Sequence, residues 1–252
     1  MKKLRRILSR VRLPDRRPTV NRRLDVQFFG HSGVGKTTLS NAAEELSQYS
    51  WGKMSRSARK FADTFPFMGT NIDKDYEAVL REKLVQATAD SVPTIIRAKQ
   101  MRSFISTFID DMFCRAQTNS VGYWEDDGIM HRFGAAIISM TGKGFDFTKL
   151  LEDRIYVFVD ADSDFILRNI RNRAKVSGRY SVNNRAWMPD SELLGSIESG
   201  LGLRYELYSF LNFRGLPVLK VDARKDLSEN AGVVARFVDS KVGELSWEGD
   251  SR

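Results

Sequence analysis

Residues 30–37 read GHSGVGKT, and this octet constrains the fold more than any other stretch of the 252-residue chain. The pattern G-x-x-x-x-G-K-[ST] works only as a turn between a strand and a helix. Its glycines let the backbone close on a phosphate, its N–H groups point inward, and the following helix adds the positive end of its dipole. Both flanks are present: LDVQFF (24–29) is a short apolar run, and KTTLSNAAEELSQY (36–49) is built of good helix formers. At ordinary residue frequencies the pattern arises by chance in about one chain of this length in a hundred. The chemistry follows from the residue types. Gly30, Gly33 and Gly35, with the amides of Ser32 and Val34, wrap a polyphosphate. Lys36 bridges β- and γ-phosphates as a point charge, Thr37 offers its hydroxyl to Mg²⁺, and Thr38 reaches the α-phosphate. His31, between two glycines, is read as a solvent-facing member of the loop.

From residue 24 onward strands and helices alternate. YEAVLREKLVQATAD and TIIRAKQMRSFISTFIDDMFCRA repeat apolar residues at helical spacing, so 50–120 reads as a helical insertion without a convincing strand. SVGYWEDDG (120–128) predicts a strand ending in acids and glycine, and IMHRFGAAIISM a helix. DRIYVFVDAD (153–162) is the most strand-like stretch, followed by the helix SDFILRNIRNRAK. VSGRYSVNNRAWMPD (176–190) reads as a loop, ahead of a long helix at 190–212, a strand at 215–223 and a final helix. Apolar strands alternating with helices predict an α/β three-layer sandwich, a single domain over 24–252 with a parallel sheet covered on both faces.

Charge is unevenly distributed. Residues 1–23 hold ten Lys and Arg against Asp15 alone, a local +9, whereas the whole chain carries +8. The body is therefore close to neutral, which argues against nucleic acid as its ligand. Within the arm, Leu4, Ile7, Leu8 and Val11 repeat at helical spacing up to Pro14. A basic amphipathic helix of that kind suits peripheral contact with an anionic membrane, and a solvated terminus is the plain alternative. A single cysteine, Cys114, forms no internal disulfide, which places the chain in a reducing, cytoplasmic compartment, at most peripheral to the inner face of a membrane. Nothing in the pattern specifies an oligomeric state.

The spacing GHSGVGKT, an Arg-rich stretch after the 154–160 strand and a closing LPVLKVDA-plus-helix unit together resemble the nucleoside monophosphate kinase-like branch of P-loop phosphotransferases, which includes thymidylate and deoxynucleoside kinases. That resemblance implies a P-loop NTPase-type fold, ATP with Mg²⁺, and transfer of a phosphoryl group to a small acceptor such as a nucleoside, nucleotide or sugar. It implies a strand-terminal acid serving magnesium or the acceptor's proton. EDDGIMHR (125–132) is the match, with Asp127 for metal and catalysis, Asp126 as its neighbour on the substrate side, and Arg132 for the acceptor. Asp160 is the second choice for magnesium, and the two acids could instead cap the helix that begins near Ile129. The family's lid, about 171–190, is matched by RNIRNRAKVSGR (168–179), with Arg171, Arg173 and Arg179 reaching the transferring group. Arg168, Arg171 and Lys175 also share one helical face that could be only a solvated surface. The rival class is a nucleotide switch or ATPase. Guanine-specific switches carry N-K-x-D and D-x-x-G, and the chain has neither string.

Overall fold

Strand β1 (Asp25–Phe29) is buried along its whole length, and its two faces have different chemistry. Leu24, Val26 and Phe28 enter one hydrophobic core, whereas Asp25, Gln27 and Phe29 point to the opposite face, where Phe29 joins a second core and the two polar side chains are buried. Period-two alternation with both faces buried demands cover on both sides, and parallel crossovers supply it. The computed structural model describes residues 24–52, 74–89, 94–116, 122–177 and 187–247. The basic arm 1–23 and positions 178–186, which include Arg179, lie outside the described residues.

After β1 come α1 (Lys36–Leu46), α2 (Lys74–Ala89), α3 (Thr94–Ala116), β2 (Trp124–Glu125), α4 (Ile129–Thr141), the four-residue α5 (Thr148–Leu151) and β3 (Arg154–Asp160). The chain closes with α6 (Ser163–Ser177), α7 (Asp190–Phe213), β4 (Val218–Asp222) and α8 (Leu227–Trp247). Among the described residues, four strands form one sheet of order β2-β1-β3-β4, and every pairing is parallel. This is an α/β fold of the P-loop NTPase type. The register aligns Gln27 with Glu125, Phe29 with Phe158 and Asp160 with Asp222, so the four carboxyl ends share one edge. In open α/β sheets that edge is where ligands bind.

Alternation along β3 divides the interior. Ile155, Val157 and Val159 join Leu39 and Ala43 of α1, Ile166 and Ile170 of α6, and Val234 and Val238 of α8. Tyr156 and Phe158 face the other way, onto Phe133, Ile137 and Met140 of α4 and Leu207 and Leu211 of α7. Helices α2 and α3 pack outside α4 through Val79, Phe104 and Phe108.

Several boundaries move for tertiary reasons. The expected 120–128 strand shortens to Trp124–Glu125, with Tyr123 in a parallel bridge to Gly52. That bridge also gives the 50–120 stretch a strand-like contact at Gly52. The chain leaves the sheet after Glu125 because the Gln27 side chain accepts from the Met130 N–H at 3.1 Å, drawing the start of α4 inward. Helix α1 stops at Leu46 instead of Tyr49. Ser47 turns extended there, its hydroxyl donating to Asp239 of α8 at 2.6 Å and accepting from the Trp51 indole at 2.8 Å. Helix α6 continues through Ser177, so positions 171–177 are helical. Among the described residues, no helix is long and apolar enough to cross a membrane.

Candidate functional site

The loop from Gly30 to Gly35 joins β1 to α1 at the carboxyl edge of the sheet. Two of its glycines are forced. A Cβ on Gly30 (φ 153) would lie 2.4 Å from the Val159 carbonyl oxygen, and one on Gly33 (φ 94) 2.8 Å from Ile170. The loop thus rests directly on β3 and α6, and Asn169 of α6 donates to the Gly33 carbonyl at 3.1 Å. Gly35, left-handed at φ 101, ends the loop as the N-cap of α1. Val34 is buried beneath the loop, while Thr37 and Thr38 are exposed on the first turn of α1. His31 is not solvent-facing as expected. Its ring packs against α7, where a Cβ on Gly200 would come within 2.8 Å of His31 Cδ2.

Lys36 folds back over its own loop. Its Nζ donates to the carbonyls of Gly30 at 3.4 Å and His31 at 3.3 Å, and lies 3.7 Å from Asp127 Oδ1. Burial lowers its ammonium from the usual 10.5 to about 8, against the opposing attraction of Asp127. The other acid of the pair goes elsewhere: the Thr37 hydroxyl donates to Asp126 Oδ2. Helix α4 is capped by Gly128 without a side-chain hydrogen bond, so neither acid caps it. Asp127 instead gathers nitrogen donors, meeting His131 Nε2 at 3.2 Å and an Arg132 guanidinium nitrogen at 3.3 Å as well as the Lys36 ammonium. Asp160 receives the Tyr205 hydroxyl at 2.8 and 2.9 Å and Lys220 Nζ at 3.0 Å. Arg171 is held by Asp190 Oδ1 at 2.8 Å and the Met188 carbonyl at 2.6 Å, and Arg173 lies exposed on α6.

Among the described residues, three buried nitrogens around Lys36 and Asp127 lack a hydrogen-bond partner: His131 Nδ1, Arg132 Nε and Arg204 Nε. Burial, with Lys36 next, holds His131 well below the usual histidine value, so the ring is neutral, and with Nε2–H on Asp127 its Nδ1 is an acceptor. The two guanidinium nitrogens are donors. Buried donors without partners are rare in finished structures, and here both belong to cations beside a phosphate-type loop, which suits an anionic ligand. For magnesium, the contact of Thr37 with Asp126 brings together two hard oxygens, and Mg²⁺ ordinarily takes only one or two protein ligands beside phosphates and water. The residues fit that ion.

A cavity of about 590 Å³ opens beside the loop, between α3 and the β2–α4 turn. Lys99, Arg102, Ser106 and Asp110 line it from α3, and Glu125, Asp126, Asp127 and Arg132 from the opposite wall. Trp124 also lines it, but its ring packs on Phe28 at 5.5 Å and Trp51 at 5.4 Å. Glu125, overlooked in the sequence, forms the floor. It accepts from Gln27 Nε2 at 3.0 Å, and burial followed by the charge of Asp111 raises its carboxyl from 4.5 to about 8, so it holds a proton at neutral pH. Beneath it Arg154 grips Asp111 of α3 at 2.5 and 2.8 Å, and both are buried. The available signal was polarity inside apolar strands: Asp25, Gln27 and Arg154 interrupt runs that otherwise bury only hydrophobics.

The lowered Lys36 value has a consequence for binding. A triphosphate prefers the ammonium form, so affinity for Mg²⁺–ATP should stay level up to pH 8 and then fall by up to about tenfold per pH unit. Calorimetric titrations at pH 7, 8 and 9 check this, and a profile flat to pH 9 would contradict it. Stability moves oppositely: between about 8 and 10.5 the unfolded chain binds the extra proton, so this group favours folding as pH rises.

No family model matches the sequence, and no curated protein matches it. Among solved structures, a deoxyadenosine kinase from M. mycoides with bound dATP aligns at 15% identity and a TM-score of 0.47, covering 86% of this chain and all of that one. A gluconokinase from Sinorhizobium meliloti 1021 aligns at 15% identity and a TM-score of 0.37, covering 92% of this chain and all of that one.

Proposed function

We propose that this chain is an ATP-dependent phosphotransferase acting on a small, polar acceptor. The observation that carries the reading is that the phosphate-type loop and the cavity share one wall. Asp126 touches Thr37 at the first turn of α1, Asp127 lies against Lys36, and both carboxylates line the cavity beside Glu125 and Arg132. A donor phosphate on the loop and an acceptor hydroxyl in the cavity would then meet without either crossing solvent.

Each residue has a part in this reading. The loop amides and Lys36 hold the β- and γ-phosphates, and Thr37 with Asp126 would hold magnesium, which when bound offsets charge on the phosphate oxygens. Asp127 stands between Lys36 and the cavity and takes the acceptor's proton as the acceptor oxygen joins phosphorus and the bond to ADP breaks. Arg132 balances the acceptor's charge. The neutral Glu125 carboxyl donates a hydrogen bond from the floor, and the charged lining from α3 favours an acceptor rich in hydroxyls or carrying an anion.

The test is ADP release with nucleosides, nucleotides, sugars and sugar phosphates offered one at a time. A phosphotransferase consumes ATP mainly when an acceptor is present. Steady hydrolysis that no acceptor changes would favour the ATPase reading instead.

The two acids should separate in such an assay. Asp126→Asn should raise the Mg²⁺ concentration needed for half-maximal turnover by about tenfold, whereas Asp127→Asn should lower kcat by about a hundredfold with little change in that requirement. Magnesium titrations of both variants check this. The reverse pattern would return magnesium to Asp127.

A further inference from the structure

Helix α7 crosses from one face of the sheet to the other. Leu193 and Ile197, in its first half, belong to the core with α1, α6 and α8, whereas Leu207 and Leu211, in its second half, belong to the core with α4. The turns between them therefore pass over the carboxyl edge, where the loop lies. Two glycines admit the helix at close range. Gly200 lets it meet His31 of the loop, and Gly134 of α4 lets Leu207 approach so closely that a Cβ there would sit 2.4 Å from its Cδ2. Arg204 follows Gly200 by four residues and so lies on the same side of α7, between those two contacts.

Arg204 is a cation out of balance with its surroundings. Its single hydrogen bond among the described residues runs from Nη1 to the His131 carbonyl at 3.1 Å. Its Nε is buried without a partner, and no carboxylate lies within ion-pair distance among the described residues. Asp127 is the acid that acts on it, and that carboxylate is already shared with Lys36, His131 and Arg132. Guanidinium has five donors in a planar fork that matches phosphate oxygens, and leaving its Nε donor unused in a buried place is costly unless an anion arrives.

We propose that Arg204 contacts the terminal phosphoryl group of the bound nucleoside triphosphate, reaching it from α7 across the sheet edge. The proposal rests on the phosphotransfer reading above. It gives to a helix-borne arginine the part that the sequence assigned to the lid, where Arg171 is engaged with Asp190 and Met188. Asp127, whose charge acts on both Arg204 and Lys36, also lines the cavity, so the three groups surround one junction between loop and cavity.

The test compares the Mg²⁺ complexes of ADP and of a non-hydrolysable ATP analogue with a β,γ-imido bridge. Binding of each to the full chain is measured by calorimetry for wild type, Arg204→Met, Arg204→Lys and Lys36→Ala. The expected result is that Arg204→Met weakens the analogue by about tenfold or more while ADP changes by less than about threefold, with Arg204→Lys between it and wild type. Should the methionine variant fail to fold, the lysine variant, which keeps length and charge but not the fork, carries the same comparison. Equal losses for the two nucleotides would make Arg204 a residue that only shapes the loop, and no loss for either would leave it without a phosphate contact. Both outcomes overturn the proposal with the phosphate loop intact. A wild-type protein that binds neither nucleotide would sink the phosphotransfer reading itself, and this inference with it.

Discussion

Replacing Lys36 by alanine should raise the Kd for Mg²⁺–ATP by about a hundredfold or more, roughly 3 kcal/mol, while the protein still folds. The ammonium is one of the few buried charges of the site and lies over two loop carbonyls beside Asp127. In the proposed complex, removing it would delete the cation that bridges phosphates and leave Asp127 facing the ligand with less compensation, so repulsion would add to lost attraction. The fold should tolerate the change because burial already disfavours this charge, as its lowered pKa near 8 records. Titration with a fluorescent ATP analogue, paired with a thermal melt, checks both halves. A folded variant that binds ATP as tightly as wild type would remove the basis for the phosphate-loop reading.

The largest effect on stability should come from Arg154. Its side chain is fully buried, it holds Asp111 by two nitrogens, and its Nε donates to the Leu150 carbonyl at 2.9 Å. Arg154→Met would strand Asp111 beside Gln27 and the raised Glu125 carboxyl, and breaking a buried pair from one side costs about 3–5 kcal/mol. Asp111→Leu combined with Arg154→Met should recover most of that loss, since two apolar side chains leave no uncompensated charge. Urea unfolding of the single and double variants measures it. A single variant that loses less than about 1 kcal/mol would mean that Asp111 finds another partner. The site should feel the change too, because Asp111 ties α3, one wall of the cavity, to the sheet.

Much of this architecture was legible in the chain. The strand-loop-helix unit around GHSGVGKT follows from local rules alone, since glycines at fixed offsets and a helix of good formers need no distant partner. The two long helices at 74–89 and 94–116 and the strand at 154–160 also emerged at nearly their observed bounds, because apolar periodicity over many residues is a strong local signal. Boundaries set by remote side chains did not. Asp239, nearly two hundred residues away in sequence, ends α1 through Ser47, and Gln27 on β1 draws in the start of α4 and shortens β2.

The same division runs through the candidate site. Local sequence determined the phosphate-type loop, the presence of Lys36 and Thr37 on its helix, and the placement of Asp126 and Asp127 at a strand end. Which acid meets which partner was a tertiary matter. Adjacent residues at the end of a strand point in different directions, and only the packing of α4 against β1 sends Asp126 to Thr37 and Asp127 to Lys36, His131 and Arg132. His31 shows the same limit: a loop residue between glycines gives no local sign that α7 will pass over it. Arg204 is the clearest case. In sequence it is one charge on a long helix, and it becomes a partly unsatisfied cation beside the loop only because Leu193 and Ile197 dock on one face of the sheet and Leu207 and Leu211 on the other. Backbone conformation and periodicity are encoded over a few residues. The meeting of charges depends on how whole elements pack, and that is decided by burial summed over the two cores.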